Sequence, residues 1–377
     1  MKFVFLSHLD LNLYLFRLPI MEALLTRGHE VWAMCPKGSV FSKFLEAGVQ
    51  TASYTIDRSG LNPLREVGVV LQLTSLLRSI RPDILHTFTA KPNIYGTLAG
   101  RMAGVPIIYN LVEGLGSFYV DDSVRSRSIR LCMEGLYRVS ARLSRATVFV
   151  NEDDPEYFYN KGLIPAEKVR IIRSVGVDTN AFDPNVHDPY CLRCKLGLTA
   201  GTRVVLMVAR AIWHKGLAEY IDAARILRAR YPDVIFLLAG DVDLGNPSSA
   251  TREFLLNVPH IRWLGPRTDI AELTAMCDVY VLPSYREGMP RTLLEAASMA
   301  KPIVTTDTVG CREVVEDGIT GILVPVRDSE ALAIAISSLL DDSVLRERMG
   351  RAGREKAVRE FDVRRVVEQY LELYGVS

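Results

Sequence analysis

The sequence predicts an α/β protein of two doubly wound domains that face a central cleft. Short apolar runs alternate with amphipathic runs along nearly all of the 377 residues, which is typical of parallel sheets covered by helices on both faces. The alternation stops over residues 177–200, where Asp and Pro become frequent, as in a linker. The length also exceeds what a single hydrophobic core usually reaches. We therefore expect domains at 1–176 and 201–358, a linker at 177–200 and a final helical segment at 359–377.

The predicted strands are the short runs that are rich in apolar residues. They lie at 2–6, 30–35, 49–54, 83–86, 106–110, 146–150, 169–172, 203–208, 234–238, 261–263, 279–282, 302–305 and 321–324. The predicted helices are the longer runs with apolar residues three and four apart. They lie at 14–26, 40–46, 64–80, 93–103, 124–143, 155–161, 217–229, 249–257, 269–276, 291–300, 311–316, 329–340, 343–359 and 363–374.

Composition excludes several classes of protein. The first apolar run is too short for the core of a signal peptide, and no apolar run is long enough to span a membrane. The formal net charge of +1 argues against nucleic acid as a main partner. The six scattered cysteines read as reduced thiols of a cytoplasmic protein. Cys191 and Cys194 have metal or redox spacing near His187, but incidental spacing is favoured because a zinc site needs about four ligands.

The stretch around Glu287 has the pattern of an anion site. An apolar strand at 279–282 leads through a turn into a helix at 291–300, with Pro290 where a first-turn proline is tolerated. The first N–H groups of a helix lack intrahelical partners and the helix dipole favours negative charge there. Glu287 precedes that turn and Glu295 lies about one turn into the helix. The pattern indicates a nucleotide pocket in which Glu295 reaches a hydroxyl beside the phosphate.

Two cations follow another predicted strand. Arg210 and Lys215 flank a short loop after the strand at 203–208. In doubly wound folds ligands bind outside the carboxyl ends of the strands, and both cations suit one diphosphate. The alternative is a pair of solvated loop cations; taken together with the Glu287 and Glu295 turn, the loop favours the diphosphate.

Together these motifs resemble the retaining GT-B glycosyltransferases of family 4. The matching features are Arg210 with Lys215-Gly216, the run Pro283-Ser-Tyr-Arg-Glu-Gly-Met-Pro, Glu287 and Glu295 with seven residues between them, the segment 318–325 and the segment 28–31. The resemblance covers nearly the whole chain. It implies two Rossmann-like domains, a final helix that crosses back to the N-terminal domain, and a nucleotide-sugar donor bound by the C-terminal domain.

The resemblance also implies roles for individual residues. Arg210 and Lys215 would hold the donor diphosphate, and Glu295 the ribose hydroxyls. Glu287, with the backbone of Gly288, Met289 and Pro290, would bind the transferred sugar, and N–H groups near Thr292 and Leu293 would meet the distal phosphate. The family uses no double-displacement nucleophile, and the cations and helix dipole can neutralise the leaving diphosphate without metal.

One position departs from the family pattern. Where many relatives have His-Gly after the strand at 106–110, this chain has Glu113-Gly114. Glu113 is therefore expected to take the place of that histidine near the sugar, orienting a hydroxyl or stabilising an oxocarbenium-like transition state. The alternative is a loop carboxylate that caps glycine-rich backbone.

Two acidic pairs resemble metal motifs but are interpreted as structural. Asp241 and Asp243 form an Asp-x-Asp after a strand, in the domain where relatives usually have a Gly-Asp turn. Asp121 and Asp122 receive the same interpretation. We expect no metal cofactor.

The N-terminal domain is expected to bind the acceptor. Segments 86–96 and 110–119 resemble the N-acetylgalactosaminyltransferases that act on undecaprenyl-diphospho-bacillosamine in bacterial protein N-glycosylation. That resemblance implies UDP-N-acetylgalactosamine as donor, a polyprenyl-diphosphate-linked sugar as acceptor and an α-1,3 bond. The candidate acceptor residues, all placed on loops, are His8, Asn12, His86, Lys91, Asn93 and Tyr95.

A basic helix suggests where such a protein meets a membrane. Residues 1–173 contain 21 Lys and Arg against 16 Asp and Glu, a net charge of about +5, and the predicted helix at 124–143 interleaves arginines with apolar residues. Such a surface suits the anionic cytoplasmic face of the bacterial inner membrane. An ordinary helix with one solvated face is the alternative.

Three other functions stay open. One is a related transferase with another UDP-sugar and another lipid or lipopolysaccharide acceptor. The others are a non-catalytic sugar-nucleotide-binding or scaffold protein on the same fold and a UDP-sugar epimerase.

Overall fold

The computed structural model describes residues 1–57, 60, 62–120, 123–173 and 175–376. It divides into two compact units. The first contains Met1–Val175 and the residues from Arg365 onward, and the second contains Gly176–Arg364. Each unit holds one parallel sheet with helices between its strands, which confirms the prediction of two doubly wound α/β domains. Asp121 and Asp122 lie outside the described residues.

The sheet of the first unit has seven parallel strands. They are β1 (Lys2–Leu6), β2 (Glu30–Met34), β3 (Gln50–Ala52), β4 (Ile84–Phe88), β5 (Ile107–Val112), β6 (Ala146–Phe149) and β7 (Val169–Ile171). Their order across the sheet is β3-β2-β1-β4-β5-β6-β7. The order reverses between β1 and β4, and the crevice at such a reversal is where doubly wound sheets bind ligands.

Six helices connect these strands. They are α1 (Asp10–Thr26), α2 (Lys43–Glu46), α3 (Pro63–Ile80), α4 (Ala90–Ala103), α5 (Val124–Leu143) and α6 (Asp153–Asn160). The start of α3 follows local chemistry, because the Asn62 side chain accepts the Leu64 N–H at 3.1 Å and Pro63 occupies the first turn.

The second unit repeats the same topology with six strands. They are β8 (Arg203–Val208), β9 (Val234–Ala239), β10 (Ile261–Trp263), β11 (Val279–Leu282), β12 (Ile303–Thr306) and β13 (Gly321–Val324). Their order is β10-β9-β8-β11-β12-β13, so the reversal falls between β8 and β11. The residues after these two strands include Arg210, Lys215 and Glu287.

The second unit contains eight named helices, of which the last two in the chain are the longest. The eight are α7 (Pro189–Lys195), α8 (Leu217–Leu227), α9 (Arg252–Asn257), α10 (Ile270–Met276), α11 (Arg291–Ser298), α12 (Cys311–Val314), α13 (Ser329–Asp341) and α14 (Ser343–Glu360). Aspartates cap the last two, since Asp328 accepts the Ala331 N–H and Asp342 accepts the Leu345 N–H.

The final helix, α15 (Val363–Tyr374), completes the core of the first unit from Arg365 onward. The Tyr374 side chain is buried and its ring lies 5.4 Å from that of Phe3. The Tyr109 hydroxyl donates to the Leu373 carbonyl at 2.9 Å. The last turns of the chain are thus packed against β1 and β5, which lie far away in sequence.

The boundaries around residues 177–200 differ from the prediction. This segment belongs to the second unit and contains helix α7. The Asp188 side chain accepts the Tyr190 N–H at 2.9 Å and Pro189 takes the first helical position. Asp188 and Pro189, two of the residues that suggested a linker, therefore begin a helix, because both residue types are favoured there.

Within the part of the chain that the structure describes, no helix is long and apolar enough to cross a membrane.

Candidate active site

The loops after β8 and β11 pack closely on each other in the second unit. Gly216 has a φ of +78°, and a Cβ there would lie 2.0 Å from the Pro283 carbonyl oxygen. The His214 carbonyl accepts hydrogen bonds from the Tyr285 N–H at 2.9 Å and from the Ser284 hydroxyl at 3.2 Å. This contact requires glycine at position 216, and it places Lys215 beside the Glu287 turn.

Lys215 and Glu287 form an ion pair in this loop cluster. The Lys215 Nζ lies 2.5 Å from Glu287 Oε1, and the Ser284 hydroxyl donates to the same oxygen at 2.6 Å. The exposed fractions of the two side chains are 23% and 11%. A cation and a carboxylate from two separate loops are therefore paired at one partly buried position.

The Glu287 turn is shaped by a glycine that sequence reasoning missed. Gly310, in the segment between β12 and α12, has a φ of +80°, and a Cβ there would lie 2.5 Å from the Gly288 carbonyl oxygen. The Glu287 N–H donates to the Val309 carbonyl at 3.1 Å. The signal that could have found Gly310 is its place just after a strand at the ligand-binding edge of the sheet.

Arg210 is paired with an aspartate. Its Nη1 lies 2.5 Å from Asp243 Oδ2, and the Arg210 side chain is half exposed. Asp241 accepts two hydrogen bonds from Arg252 at 2.9 and 3.0 Å. Both acids of the Asp-x-Asp motif thus have arginine partners, and the described residues contain no group of three or more His, Cys, Asp and Glu placed to hold a metal.

Helix α11 places the remaining donor-site candidates. Met289 is buried, and Pro290 is the residue before the helix. The Leu293 N–H donates to the Pro290 carbonyl at 3.0 Å, so it would have to share that bond to meet a phosphate. Thr292 lies one position earlier, among the first-turn N–H groups that precede any intrahelical acceptor.

Glu295 is buried in α11 and paired with an arginine of the same helix. Its Oε1 accepts a hydrogen bond from Arg291 Nε at 2.9 Å. Burial raises the pKa of the Glu295 carboxyl, and the Arg291 charge opposes that rise. A carboxyl in these surroundings is suited to hydrogen bonding with neutral hydroxyls such as those of a ribose.

Glu113 lies in the first unit, directly after β5, and is held by two residues of α1. Arg17 Nη2 lies 2.5 Å from Glu113 Oε1, and Asn12 Nδ2 donates to both carboxylate oxygens at 3.2 and 2.9 Å. Sequence reasoning missed Arg17. The available signal was a cation in the apolar stripe formed by Leu13, Arg17 and Ile20, all of which are buried.

The candidate acceptor residues occupy positions other than the predicted loops, except for His8. His8 follows β1, with its Nδ1 2.5 Å from the Thr89 hydroxyl. Asn12 lies on α1, His86 within β4, and Lys91, Asn93 and Tyr95 on α4. The loop placement was wrong for Asn12 and Lys91, whereas His86 lies in the strand predicted at 83–86, and Asn93 and Tyr95 lie in the helix predicted at 93–103. Strand β4 extends to Phe88 in register with β5, and α4 starts before its Pro92 because proline is tolerated in a first turn.

Besides His8 and Asn12, three of these residues have partners inside the first unit. His86 is buried, with its Nδ1 2.5 Å from the Tyr374 hydroxyl. Asn93 is buried and donates to the Leu111 carbonyl at 2.7 Å. Lys91 Nζ lies 2.6 Å from Glu66 Oε1. Their contacts make His86 and Asn93 part of the packing of this unit.

His86 makes the stability of the first unit sensitive to acid. Burial, aided by the charge of Arg17, holds the pKa of His86 well below 6.5, so the folded state keeps this ring neutral while the unfolded chain takes up a proton. Stability should be fully present above pH 6.5 and fall as the pH decreases below it, by at most about 1.4 kcal/mol per pH unit. Calorimetric unfolding at pH 7.5 and 5.5 measures this slope.

A His86→Gln variant should lose most of that slope. His29→Gln is the matched control, because the pKa of His29 is also lowered but this residue lies near the surface. An unchanged slope in His86→Gln would assign the acid sensitivity to other groups.

Comparison with known proteins identifies the family of this chain. The model for glycosyl transferases group 1 matches residues 192–356, and the model for glycosyl transferase 4-like proteins matches residues 2–147. A Campylobacter jejuni protein is 35% identical over 99% of this chain and 98% of its own length. The chain belongs to the glycosyltransferase family. The family resemblance found in the sequence is confirmed, and so is the prediction of an enzyme.

Two relatives of this glycosyltransferase are named for the transfer of a sugar to an undecaprenyl-diphosphate-linked acceptor. The Campylobacter jejuni protein is N,N'-diacetylbacillosaminyl-diphospho-undecaprenol alpha-1,3-N-acetylgalactosaminyltransferase. An Escherichia coli relative, UDP-Gal:alpha-D-GlcNAc-diphosphoundecaprenol alpha-1,3-galactosyltransferase, is 26% identical over 94% of this chain and 90% of its own length.

Solved structures confirm the GT-B fold. Anabaena Alr3699/HepE, determined in complex with UDP and glucose, superposes with a TM-score of 0.81 at 22% identity, covering all of both chains. WaaG, a glycosyltransferase of lipopolysaccharide biosynthesis, gives a TM-score of 0.76 at 17% identity over 99% of each chain.

Proposed function

We propose that this glycosyltransferase transfers N-acetylgalactosamine from UDP-N-acetylgalactosamine to undecaprenyl-diphospho-N,N'-diacetylbacillosamine. The product would carry an α-1,3 bond and would serve as a lipid-linked intermediate of protein N-glycosylation. The observation that carries the proposal is the 35% identity to the Campylobacter jejuni transferase over nearly the full length of both chains.

The second unit is proposed to bind the donor. Lys215 and Arg210 neutralise the diphosphate, and the N-terminus of α11 near Thr292 adds a favourable dipole. Glu295 receives the ribose hydroxyls, while Glu287 and the Gly288–Pro290 backbone receive the sugar. Because both cations are now paired with carboxylates, donor binding exchanges one anionic partner for another.

Transfer is proposed to proceed with retention and without a covalent sugar–enzyme intermediate. Neutralisation of the departing diphosphate lowers the barrier to breaking the bond to the sugar. The leaving phosphate oxygen then accepts the proton of the attacking acceptor hydroxyl, so that departure and attack occur on the same face. Glu113 acts on the sugar during transfer, and a fixed carboxylate suits the positive charge that develops there.

The first unit is proposed to bind the lipid-linked acceptor. His8 follows β1 at the topological reversal of the sheet and is only partly buried. Asn12 donates to Glu113, and Lys91 and Tyr95 keep partial exposure on α4. His86 and Asn93 are assigned supporting roles inside the unit.

Helix α5 is proposed to contact the anionic cytoplasmic face of the inner membrane. Val124, Arg127 and Leu131 are three and four residues apart and therefore share one face of the helix. The exposed fractions of Val124 and Leu131 are 80% and 72%, and Arg127 is exposed as well. An apolar face flanked by cations suits the boundary between headgroups and acyl chains.

Vesicle binding tests this surface. The wild type should sediment with vesicles rich in phosphatidylglycerol and much less with phosphatidylcholine alone. Arg127→Glu with Leu131→Ser should weaken binding at least about fivefold, since one basic residue near an anionic surface contributes about 1 kcal/mol. Leu256→Ser, which removes a 73% exposed leucine from the second unit, is the control; equal binding by both variants would contradict the proposal.

A screen of UDP-sugar donors against two lipid-diphosphate acceptors tests the proposed reaction. UDP-N-acetylgalactosamine should give the highest turnover on the bacillosamine acceptor, and EDTA should leave that turnover intact. If UDP-galactose with an N-acetylglucosamine-diphosphate lipid were the only pair that gave turnover, the result would favour the activity named for the Escherichia coli relative. If EDTA abolished turnover and a divalent cation restored it, Asp241 and Asp243 would be assigned a metal-binding role.

A further inference from the structure

Arg17 is a buried cation whose charge has one carboxylate partner among the described residues. It lies in the middle of α1, has no exposed surface, and contacts Glu113 Oε1 at 2.5 Å. Its guanidinium carbon also lies 4.8 Å from the centre of the Phe88 ring. A buried charge is tolerated only when it is paired and hydrogen-bonded, so Arg17 holds its partner firmly.

The remaining hydrogen-bonding capacity of Arg17 is poorly used. Nη1 reaches the Phe16 carbonyl only at 3.5 Å, and Nε is buried without a partner in the described structure. An apolar side chain of similar length would fill this position without that cost. Packing alone therefore does not explain an arginine at position 17. The effect that its contacts do have is to orient Glu113.

The two oxygens of Glu113 are held unequally. Oε1 accepts the Arg17 contact and a hydrogen bond from Asn12 at 3.2 Å, whereas Oε2, among the described residues, accepts from Asn12 alone at 2.9 Å. Asn12 is itself oriented, because its Oδ1 accepts the Ser7 hydroxyl at 3.1 Å. Since a carboxylate oxygen has room for more than one donor, Oε2 is the oxygen with capacity left.

Glu113 also keeps contact with solvent. Its side chain is 20% exposed while that of Arg17 is fully buried, and it follows β5 at the carboxyl edge of the sheet. The pair therefore joins a buried anchor to a carboxylate at the edge where doubly wound sheets bind ligands.

We propose that Arg17 and Asn12 are positioning residues that fix Glu113 through Oε1 and present Oε2 to the sugar during transfer. The inference rests on the proposed function only in taking Glu113 as a group that acts on substrate. It adds which oxygen acts and which residues orient it.

A double-mutant cycle on kcat tests the coupling. Arg17→Met should lower kcat by about ten- to a hundredfold, because a misplaced catalytic group costs rates of this order, while the KM for the nucleotide sugar changes by less than about twofold. In a Glu113→Gln background, Arg17→Met should change kcat by less than about twofold. A similar loss in both backgrounds would show that Arg17 acts on the fold alone and would overturn the inference.

Two further variants keep the test readable if Arg17→Met folds poorly. Arg17→Lys retains the charge and should recover part of kcat. Asn12→Ala leaves the buried ion pair in place and should lower kcat with an unchanged melting temperature; wild-type kcat in Asn12→Ala would contradict its assigned role. The cycle uses whichever donor and acceptor give the highest turnover in the donor screen, so a wrong substrate assignment is detected there and not mistaken for failure of the positioning role.

Discussion

Replacing Lys215 by alanine should lower turnover well over tenfold, which corresponds to a loss of about 2–4 kcal/mol of transition-state stabilisation. Lys215 Nζ lies 2.5 Å from Glu287 Oε1 in a partly buried loop cluster, so the charge acts where water is scarce. Negative charge grows on the diphosphate as it leaves the sugar, and the lysine should therefore affect kcat more than KM. Steady-state measurement of UDP release gives both constants.

Lys195→Ala is the matched control, since this exposed lysine ends α7 within the same unit. Its kinetics should equal those of the wild type. Arg210→Ala should also lower turnover well over tenfold, although Arg210 is half exposed and now paired with Asp243. Wild-type rates from both Lys215→Ala and Arg210→Ala would rule out the diphosphate assignment.

Glu113→Gln should have two effects. It should lower kcat by roughly a hundredfold, a size usual for loss of one positioned charged group in an active site. It should also destabilise the first unit, because removing one partner of a buried ion pair costs up to about 3–5 kcal/mol. In the wild type, Asn12 Nδ2 donates to the Glu113 carboxylate. The amide of Glu113→Gln would place N–H donors against this donor, so that hydrogen bond would be lost. Kinetics at a temperature where circular dichroism shows a folded protein separates the two effects.

Glu134→Gln provides the comparison for Glu113→Gln. Glu134 is another half-buried glutamate of the first unit, and it accepts the Tyr157 hydroxyl at 2.5 Å. Its replacement should leave kcat near the wild-type value. If Glu113→Gln behaved like Glu134→Gln, Glu113 would be a backbone-capping carboxylate, the alternative that the sequence left open.

Arg17→Met should restore stability to Glu113→Gln, since the double variant no longer buries an unpaired charge. This thermal rescue without kinetic rescue would distinguish the folding contribution of the ion pair from its role in orienting the carboxylate.

Several features of this protein follow from the sequence alone. The alternation of short apolar and amphipathic runs predicted two doubly wound domains because the side-chain periods of strands and helices are local properties. The loop with Arg210 and Lys215 and the turn with Glu287 and Glu295 were equally visible, since each motif lies within a short stretch. Their spacing also carried the family resemblance, which the relatives confirm over nearly the whole chain.

Other features were decided only by the tertiary structure. Arg17 meets Glu113 across 96 residues of sequence, and His86 meets Tyr374 across 288, so neither partner can be deduced from its neighbours in the chain. The same packing buries His86 within β4 and pairs Lys91 with Glu66, although polar residues after a predicted strand suggested exposed loops. Local pattern determines which elements form, whereas long-range packing determines which polar side chains remain available for a ligand.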